Sequence, residues 1–501
     1  MRVLFIDPPF YRFIGYYNRY FPIGLAYLAA VLRNEGHEVL IYDADCNINP
    51  SKMDFARLED SYPFYLRSLK DANHPIWKEV RKTILKFHPG MVGITIWTTF
   101  AGSAFKTASL CKEIDKDMPV AMGGPHASIK CDEVMRICPD VDFLVRGEGE
   151  VTLLELVKAI DKRWGKRGAC FSDIRGISYK QNGGIVHNLD REFIQDMDTI
   201  PMPARDLLLN KDSYNPEDMG LIMSSRGCPY NCAYCATSIW RRNTRYRSID
   251  NVIKEIKMII NSYGTRQFAF KDDTFTVSRK RVLELANRLM KESIKITWDC
   301  NTRVDLIDEE LLRKMKEAGC NGIKVGIETG SERVLASINK KTTLSQAIEA
   351  ADLFRKVGIH WTGYFMMGLP SETKEDVYKT LSFIKELKPD YASFSVYEPF
   401  PGTDLFKIGL EKGLVQNDRS LADFYDISPK YYYLKNLKHR VDSINDDEFG
   451  RLENEMKRAI HRYNMSFSKL AKRAKSRSRL YLHEPKMLWS DFKKLLAVWR
   501  L

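Results

Sequence analysis

Cys228, Cys232 and Cys235 follow a C-x3-C-x2-C spacing, just after the apolar run Leu221-Ile222-Met223. Thiolates are the usual protein ligands of iron–sulfur clusters. Three thiolates on one loop leave one iron of a four-iron cubane without a protein ligand, and a small molecule can bind there. Zinc is the competing chemistry. It wants four ligands, often as paired C-x2-C motifs. No His or fourth Cys follows nearby, the next cysteine being Cys300. A third alternative is three unrelated thiols.

The stretch from Ser224 to Cys235, with Tyr234 just before the last cysteine, resembles the signature of the radical S-adenosylmethionine (SAM) superfamily. The resemblance implies that Cys228, Cys232 and Cys235 hold a 4Fe–4S cluster. It implies that the amino and carboxylate groups of SAM chelate the open iron. An electron from the cluster then cleaves SAM to methionine and a 5′-deoxyadenosyl radical. Tyr234 would pack near the adenine.

Such a loop needs a scaffold, and residues 216–415 supply alternating strand and helix patterns. Strands are expected at Gln267–Phe270, Ile296–Trp298, Gly322–Gly326, His360–Met366 and Tyr391–Tyr397, with helices between them. Six β/α units after the cysteine loop are expected, a partial (β/α)6 barrel with its site at the carboxyl ends of the strands. Those ends carry Asp272-Asp273-Thr274, Arg303, Glu328, Ser331 and Gly368-Leu369-Pro370. By resemblance, Asp272, Asp273 and Thr274 stand where the family contacts the SAM amino group. Glu328 and Ser331 correspond to positions near the SAM ribose and carboxylate, and Gly368 helps to shape the adenine pocket. Arg303 is a candidate to pair with a carboxylate of SAM or substrate. The alternative for each is a helix cap or a buried salt bridge.

Residues 1–165 read as an α/β domain with a doubly wound parallel sheet, Rossmann-like. Strands are expected at Arg2–Ile6, Glu38–Tyr42, Met91–Trp97, Pro119–Met122 and Asp142–Val145. Ligands of such sheets bind at the carboxyl ends of the strands. The pieces found there are Asp7-Pro8-Pro9, Thr98-Thr99, Gly123-Gly124 and Gly147-Glu148-Gly149. They resemble the cobalamin (vitamin B12) binding domain found upstream of many radical SAM enzymes. The resemblance makes all of these residues candidates for cobalamin contact. One departure stands out: the D-x-H-x-x-G motif, whose His ligates cobalt, is absent, and no His precedes His37. A cobalamin held here lacks a His ligand from the first loop. His126 reads as a structural loop histidine. The alternative is a Rossmann-like domain that binds a nucleotide, or nothing.

Residues 166–215 read as a connector with a hairpin turning at Asn182-Gly183, and 416–501 as a basic, helical C-terminal region. The chain of 501 residues has a formal net charge of +13. From Met456 to Leu501, thirteen Lys and Arg face Glu484 and Asp491, so +11 of that excess is local. On a helix at 488–501, Trp489, Phe492, Leu495, Leu496 and Trp499 fall on one face. That face suits peripheral membrane contact, or simple packing on the barrel mouth.

Ten cysteines without a disulfide-like pattern suit a reducing cytoplasm. No apolar run reaches membrane-spanning length. The short run after Met1-Arg2 is ended by Asp7-Pro8-Pro9, so no secretory leader is expected.

The family resemblance therefore implies a cytoplasmic, cobalamin-dependent radical SAM enzyme. Its cofactors are a 4Fe–4S cluster, SAM and cobalamin, and its electron donor is of the ferredoxin or flavodoxin kind. The reaction expected is methylation of an unactivated carbon of a small hydrophobic substrate, with lipid as one class. The rival is ring formation on a lipid or tetrapyrrole, because the chain resembles Mg-protoporphyrin ester cyclase, hopanoid methylase and archaeal lipid ring synthase types about equally. A non-catalytic basic iron–sulfur protein binding RNA or membrane is the alternative of another class. No RNA-binding module is recognisable, so no nucleic-acid partner is expected.

Overall fold

A computed structural model describes residues 1–16, 18, 20–47, 61–165, 170–236, 242–435, 441–476 and Trp489. By contacts the chain divides into two compact units. One is formed by Met1–Met53, Arg57–Asp273 and Glu398–Leu437, the other by Asp54–Ala56, Thr274–Tyr397 and Lys438–Leu501.

The first unit is built on a seven-stranded sheet. Its strands are β1 (Arg2–Asp7), β2 (Glu38–Asp43), β3 (Met91–Thr95), β4 (Val120–Gly123), β5 (Phe143–Val145), β6 (Ile177–Gln181) and β7 (Gly184–His187), in the order β2-β1-β3-β4-β5-β6-β7. The first five are parallel. Val3, Leu4, Phe5 and Ile6 of β1 are all buried, as a strand covered on both faces requires. Helices such as Ile23–Asn34 and Ala101–Ile114 make the crossovers. The expected hairpin is present and joins the sheet edge: β6 runs antiparallel to β5, and β7 to β6. Asn182 and Gly183, with φ of 52° and 78°, make its turn.

The stretch 416–435 departs from the reading of a basic tail. Phe424, Tyr432, Tyr433 and Leu434 are buried in the core that also holds Trp77, Phe105 and Met122. The Phe424 ring meets Phe105 edge-on at 5.2 Å and Tyr432 at 4.8 Å. Ion pairs flank it, Arg136 to Asp418 at 2.7 Å and Lys70 to Asp426 at 2.5 Å. Tyr432 and Tyr433 are core, with Tyr431 packed partly buried against them, because the chain returns to the N-terminal sheet.

Also in this unit are β8 (Leu221–Ile222), β9 (Ser225–Arg226), β10 (Arg245–Tyr246) and β11 (Gln267–Phe270). β8 pairs in parallel with β11, and β9 antiparallel with β10.

The second unit carries β12 (Thr297–Thr302), β13 (Cys320–Glu328), β14 (His360–Met367) and β15 (Tyr391–Val396), all parallel and neighbours in that order. Helices Arg279–Lys291, Glu309–Glu317, Leu344–Val357 and Lys374–Leu387 alternate with them. Thr343 with Gln346, and Thr373 with Asp376, form reciprocal caps that start two of these helices. Of the strands expected after the cysteine loop, the first unit carries β11, paired with β8, and the second unit carries β12 to β15. The apolar run before the loop is itself a strand, β8. The helix Asp446–Asn464 docks on β15, where Asn464 accepts from the Ala392 N–H at 2.9 Å and donates to its carbonyl at 2.7 Å. The expected helix at 488–501 lies outside the described residues except Trp489. Among the described residues no helix is long and apolar enough to cross a membrane.

Candidate functional site

The cysteine loop leaves β9 through Gly227, whose φ of +91° suits glycine. Cys228 is buried, while Cys232 and Cys235 are half-buried beside half-buried Tyr234. A turn closes between Cys232 O and Cys235 N at 3.0 Å, and Leu405 N–H donates to Ala233 O at 2.9 Å. Among the described residues no three His, Cys, Asp or Glu side chains meet in a ready metal-binding arrangement. The donor chemistry still fits an iron–sulfur cluster, with three thiols on one loop.

Asp272 fastens the base of that loop. Its carboxylate accepts from Ser224 N at 2.7 Å, Ser224 Oγ at 2.6 Å and Ser225 Oγ at 2.6 Å. Asp273 accepts from the Gly227 N–H. Burial, helped by the charge of Asp272, raises its carboxyl above the ordinary value. Both acids therefore brace the strand and turn that present Cys228.

A cavity of about 330 Å³ opens at the carboxyl ends of β3, β4 and β5. Gly123, Gly124, Gly147, Glu148 and Gly149 line it, as does Gly93. Gly124 has φ +122°, and a Cβ there would lie 2.8 Å from Ile96 O, so only glycine leaves this wall in place. The glycine-walled, largely apolar cradle fits a flat macrocycle or its nucleotide tail.

Asp7, Pro8, Pro9, Thr98 and Thr99 are not among its lining. Pro9 O instead accepts from Ser103 Oγ at 2.6 Å. Asp7 is held well above the usual carboxylate range by burial and by the charges of Asp43 and Asp45. Thr98 Oγ1 lies 3.1 Å from His126 Nδ1. Burial pushes His126 down to about 3, so its ring stays neutral. Sequence reasoning missed Tyr27, Trp97, Met223 and Arg226, which complete the cavity wall.

Arg226 sits in a buried ion cluster. It donates to Glu148 at 2.8 Å and to Glu150 at 2.5 Å, while Arg245 donates to the other oxygen of Glu148 at 2.7 Å. Ile194 N–H adds a fourth bond, at 2.7 Å.

In the second unit, Glu328 ends β13 at φ +74° and accepts from Lys340 Nζ at 2.6 Å. Arg303 is held by Asp305 at 2.9 and 3.0 Å and by Lys340 O at 3.0 Å. Ser331 Oγ donates to Asp376 at 2.6 Å. Gly368 N–H donates to Glu372 at 2.6 Å. Thr274 is buried. The unit thus gathers Arg303, Glu328 and Lys340 into one internal network at the strand ends, the salt-bridge alternative of the sequence reading. Backbone strain like that at Glu328 clusters at functional sites.

Two family models match the chain. That of the B12 binding domain covers residues 14–157 and that of the radical SAM superfamily residues 222–384. An uncharacterized methyltransferase of Pyrococcus horikoshii is 36% identical over 421 residues, 83% of this chain and 84% of that protein. The anaerobic magnesium-protoporphyrin IX monomethyl ester cyclase of Rubrivivax gelatinosus is 30% identical over 416 residues, 81% of this chain and 70% of that protein. Among solved structures, the cobalamin-dependent SAM radical enzyme OxsB aligns with a TM-score of 0.70 at 18% identity, over 98% of this chain and 72% of that one. The fold and these matches define an α/β enzyme with an N-terminal B12 binding domain and a radical SAM domain. The chain belongs to the cobalamin-associated radical SAM family.

Proposed function

We propose that the chain binds a 4Fe–4S cluster through Cys228, Cys232 and Cys235, holds cobalamin in the cavity at the ends of β3 to β5, and transfers a methyl group from SAM to an unactivated carbon. One observation carries this reading. The cavity of the B12 binding domain reaches Met223 and Arg226, and Arg226 stands two residues before Cys228. On this reading the two cofactor sites share a wall. When bound, the cluster supplies the electron that cleaves SAM and cobalamin supplies a methyl carrier.

This chain's own residues do the placing. Gly227 turns the loop, Asp272 and Asp273 fasten its base, and the glycines of the cavity admit the macrocycle. The SAM contacts proposed for Tyr234, Asp272, Asp273, Thr274, Arg303, Glu328, Ser331 and Gly368 require Arg303 and Glu328 to exchange internal partners for the ligand. A ferredoxin or flavodoxin would supply the electrons.

Methyl transfer is favoured because the relative at 36% identity is named a methyltransferase. Ring formation is the second reading, favoured by the cyclase at 30%. The latter's named substrate is a large apolar macrocycle, which supports a hydrophobic substrate.

The test supplies anaerobic, reconstituted protein with cobalamin, a reductant, SAM carrying a deuterated methyl group and an extract of the source cells. Deuterated product together with 5′-deoxyadenosine and S-adenosylhomocysteine is expected. Deoxyadenosine with a product lighter by two hydrogens, and no label, would replace methylation by ring formation.

A further inference from the structure

Arg226 belongs to two places at once. It ends β9, which leads into the cysteine loop, and it lines the cavity together with Glu148 and Glu150. Its fork spans both carboxylates, and Arg245, its cross-strand partner, holds Glu148 from the other side. All four side chains are buried, two cations balancing two anions. The cluster is also incompletely bonded: Glu150 Oε2, Arg245 Nε and Arg245 Nη2 are buried without a hydrogen-bond partner. Buried polar groups are rarely left this way. Here the open acceptor belongs to a residue that lines the cavity.

We propose that Arg226 is a positioning residue that links occupancy of the cavity to the geometry of the cysteine loop. The inference rests on the corrinoid reading above. A corrinoid carries amide groups around its rim. A small turn of the Glu150 carboxylate brings the buried Oε2 to such an amide N–H, which completes that carboxylate and fixes the angle of the Arg226 fork. Through the Arg226-Gly227-Cys228 backbone, braced where the Gly227 N–H donates to Asp273, the fork fixes Cys228. Coupling of two sites is reciprocal in binding free energy. A cluster that orders the cysteine loop therefore holds Arg226, and a held Arg226 presents Glu148 and Glu150 in the arrangement that binds corrinoid.

The experiment measures hydroxocobalamin affinity of the full chain by equilibrium dialysis, with cobalt quantified, for cluster-free and cluster-loaded protein. Wild type should bind about fivefold or more tightly once the cluster is loaded, the lower end of typical coupling. The charge-balanced variant Arg226→Met with Glu150→Gln should bring that ratio close to one. A merely structural lesion would weaken both forms equally and leave the ratio unchanged, which would overturn the inference, as would a ratio of one in wild type. Should the double variant not fold, Arg226→Lys decides: it keeps the charge but cannot fork, and an undiminished ratio overturns the proposal. Cluster-loaded wild type that binds no hydroxocobalamin would overturn the corrinoid reading and the inference together. Binding with an unaltered ratio would overturn the inference alone.

Discussion

The Arg226 guanidinium lies 2.8 Å from the Glu148 carboxylate, joining the strand before the cysteines to the loop after β5. Seventy-eight residues separate the two in sequence. Breaking a buried pair by removing one partner strands the other charge, at about 3–5 kcal/mol. Glu148 also receives Arg245 and the Ile194 N–H. Glu148→Ala is therefore expected to lower stability by about that amount and to loosen both cofactor sites together. Denaturant unfolding of cluster-free protein checks the first, and a loss below about 1 kcal/mol would contradict it.

Phe424 tests whether the stretch after the barrel is tail or core. It is fully buried against Phe105, Tyr432 and the His126 ring. Phe424→Ala should cost about 3–5 kcal/mol, as core Phe-to-Ala changes do. A surface residue would cost less than about 0.5 kcal/mol. Thermal or denaturant unfolding separates the two.

Glu372 makes stability depend on pH in a stated direction. Burial raises its carboxyl to about 8 from an ordinary 4.5. Its Oε2 accepts from Gly368 and Leu369 N–H, while Oε1 has no partner. The folded chain keeps this proton up to about pH 8, whereas the unfolded chain loses it near pH 4.5. Stability from this group is therefore full below pH 4.5 and lost as pH rises towards 8. Glu372→Gln cannot ionise. Relative to wild type it should gain on the order of 2–4 kcal/mol between about pH 5 and pH 8, since each pKa unit is worth about 1.4 kcal/mol. Unfolding curves at both pH values check it, and a pH-independent difference would contradict it.

Much of this architecture was legible because apolar periodicity and turn residues act locally. The strand Gln267–Phe270 lies where the pattern puts it, and the strands expected at Glu38–Tyr42 and His360–Met366 each end one residue later, at Asp43 and Met367. β13 runs past the expected Gly326 to Glu328, adding Ile327 and the carboxylate of Glu328, both buried. Partners in space were not legible. Nothing local says that Arg226 meets Glu148, that Asp272 is taken up by Ser224 and Ser225, or that Tyr432 and Tyr433 return to the N-terminal core. Trp97 and Tyr27 escaped notice for the same reason, since a cavity wall is assembled from several elements.

The central claim is that this chain turns an iron–sulfur loop on SAM. The most direct test incubates anaerobic, cluster-reconstituted protein with SAM and a strong reductant, and quantifies 5′-deoxyadenosine by mass spectrometry. Wild type should form it, and Cys232→Ala should form none and lack the cluster's visible absorption. Wild type with a verified cluster and no deoxyadenosine, or Cys232→Ala with undiminished product, would contradict the claim.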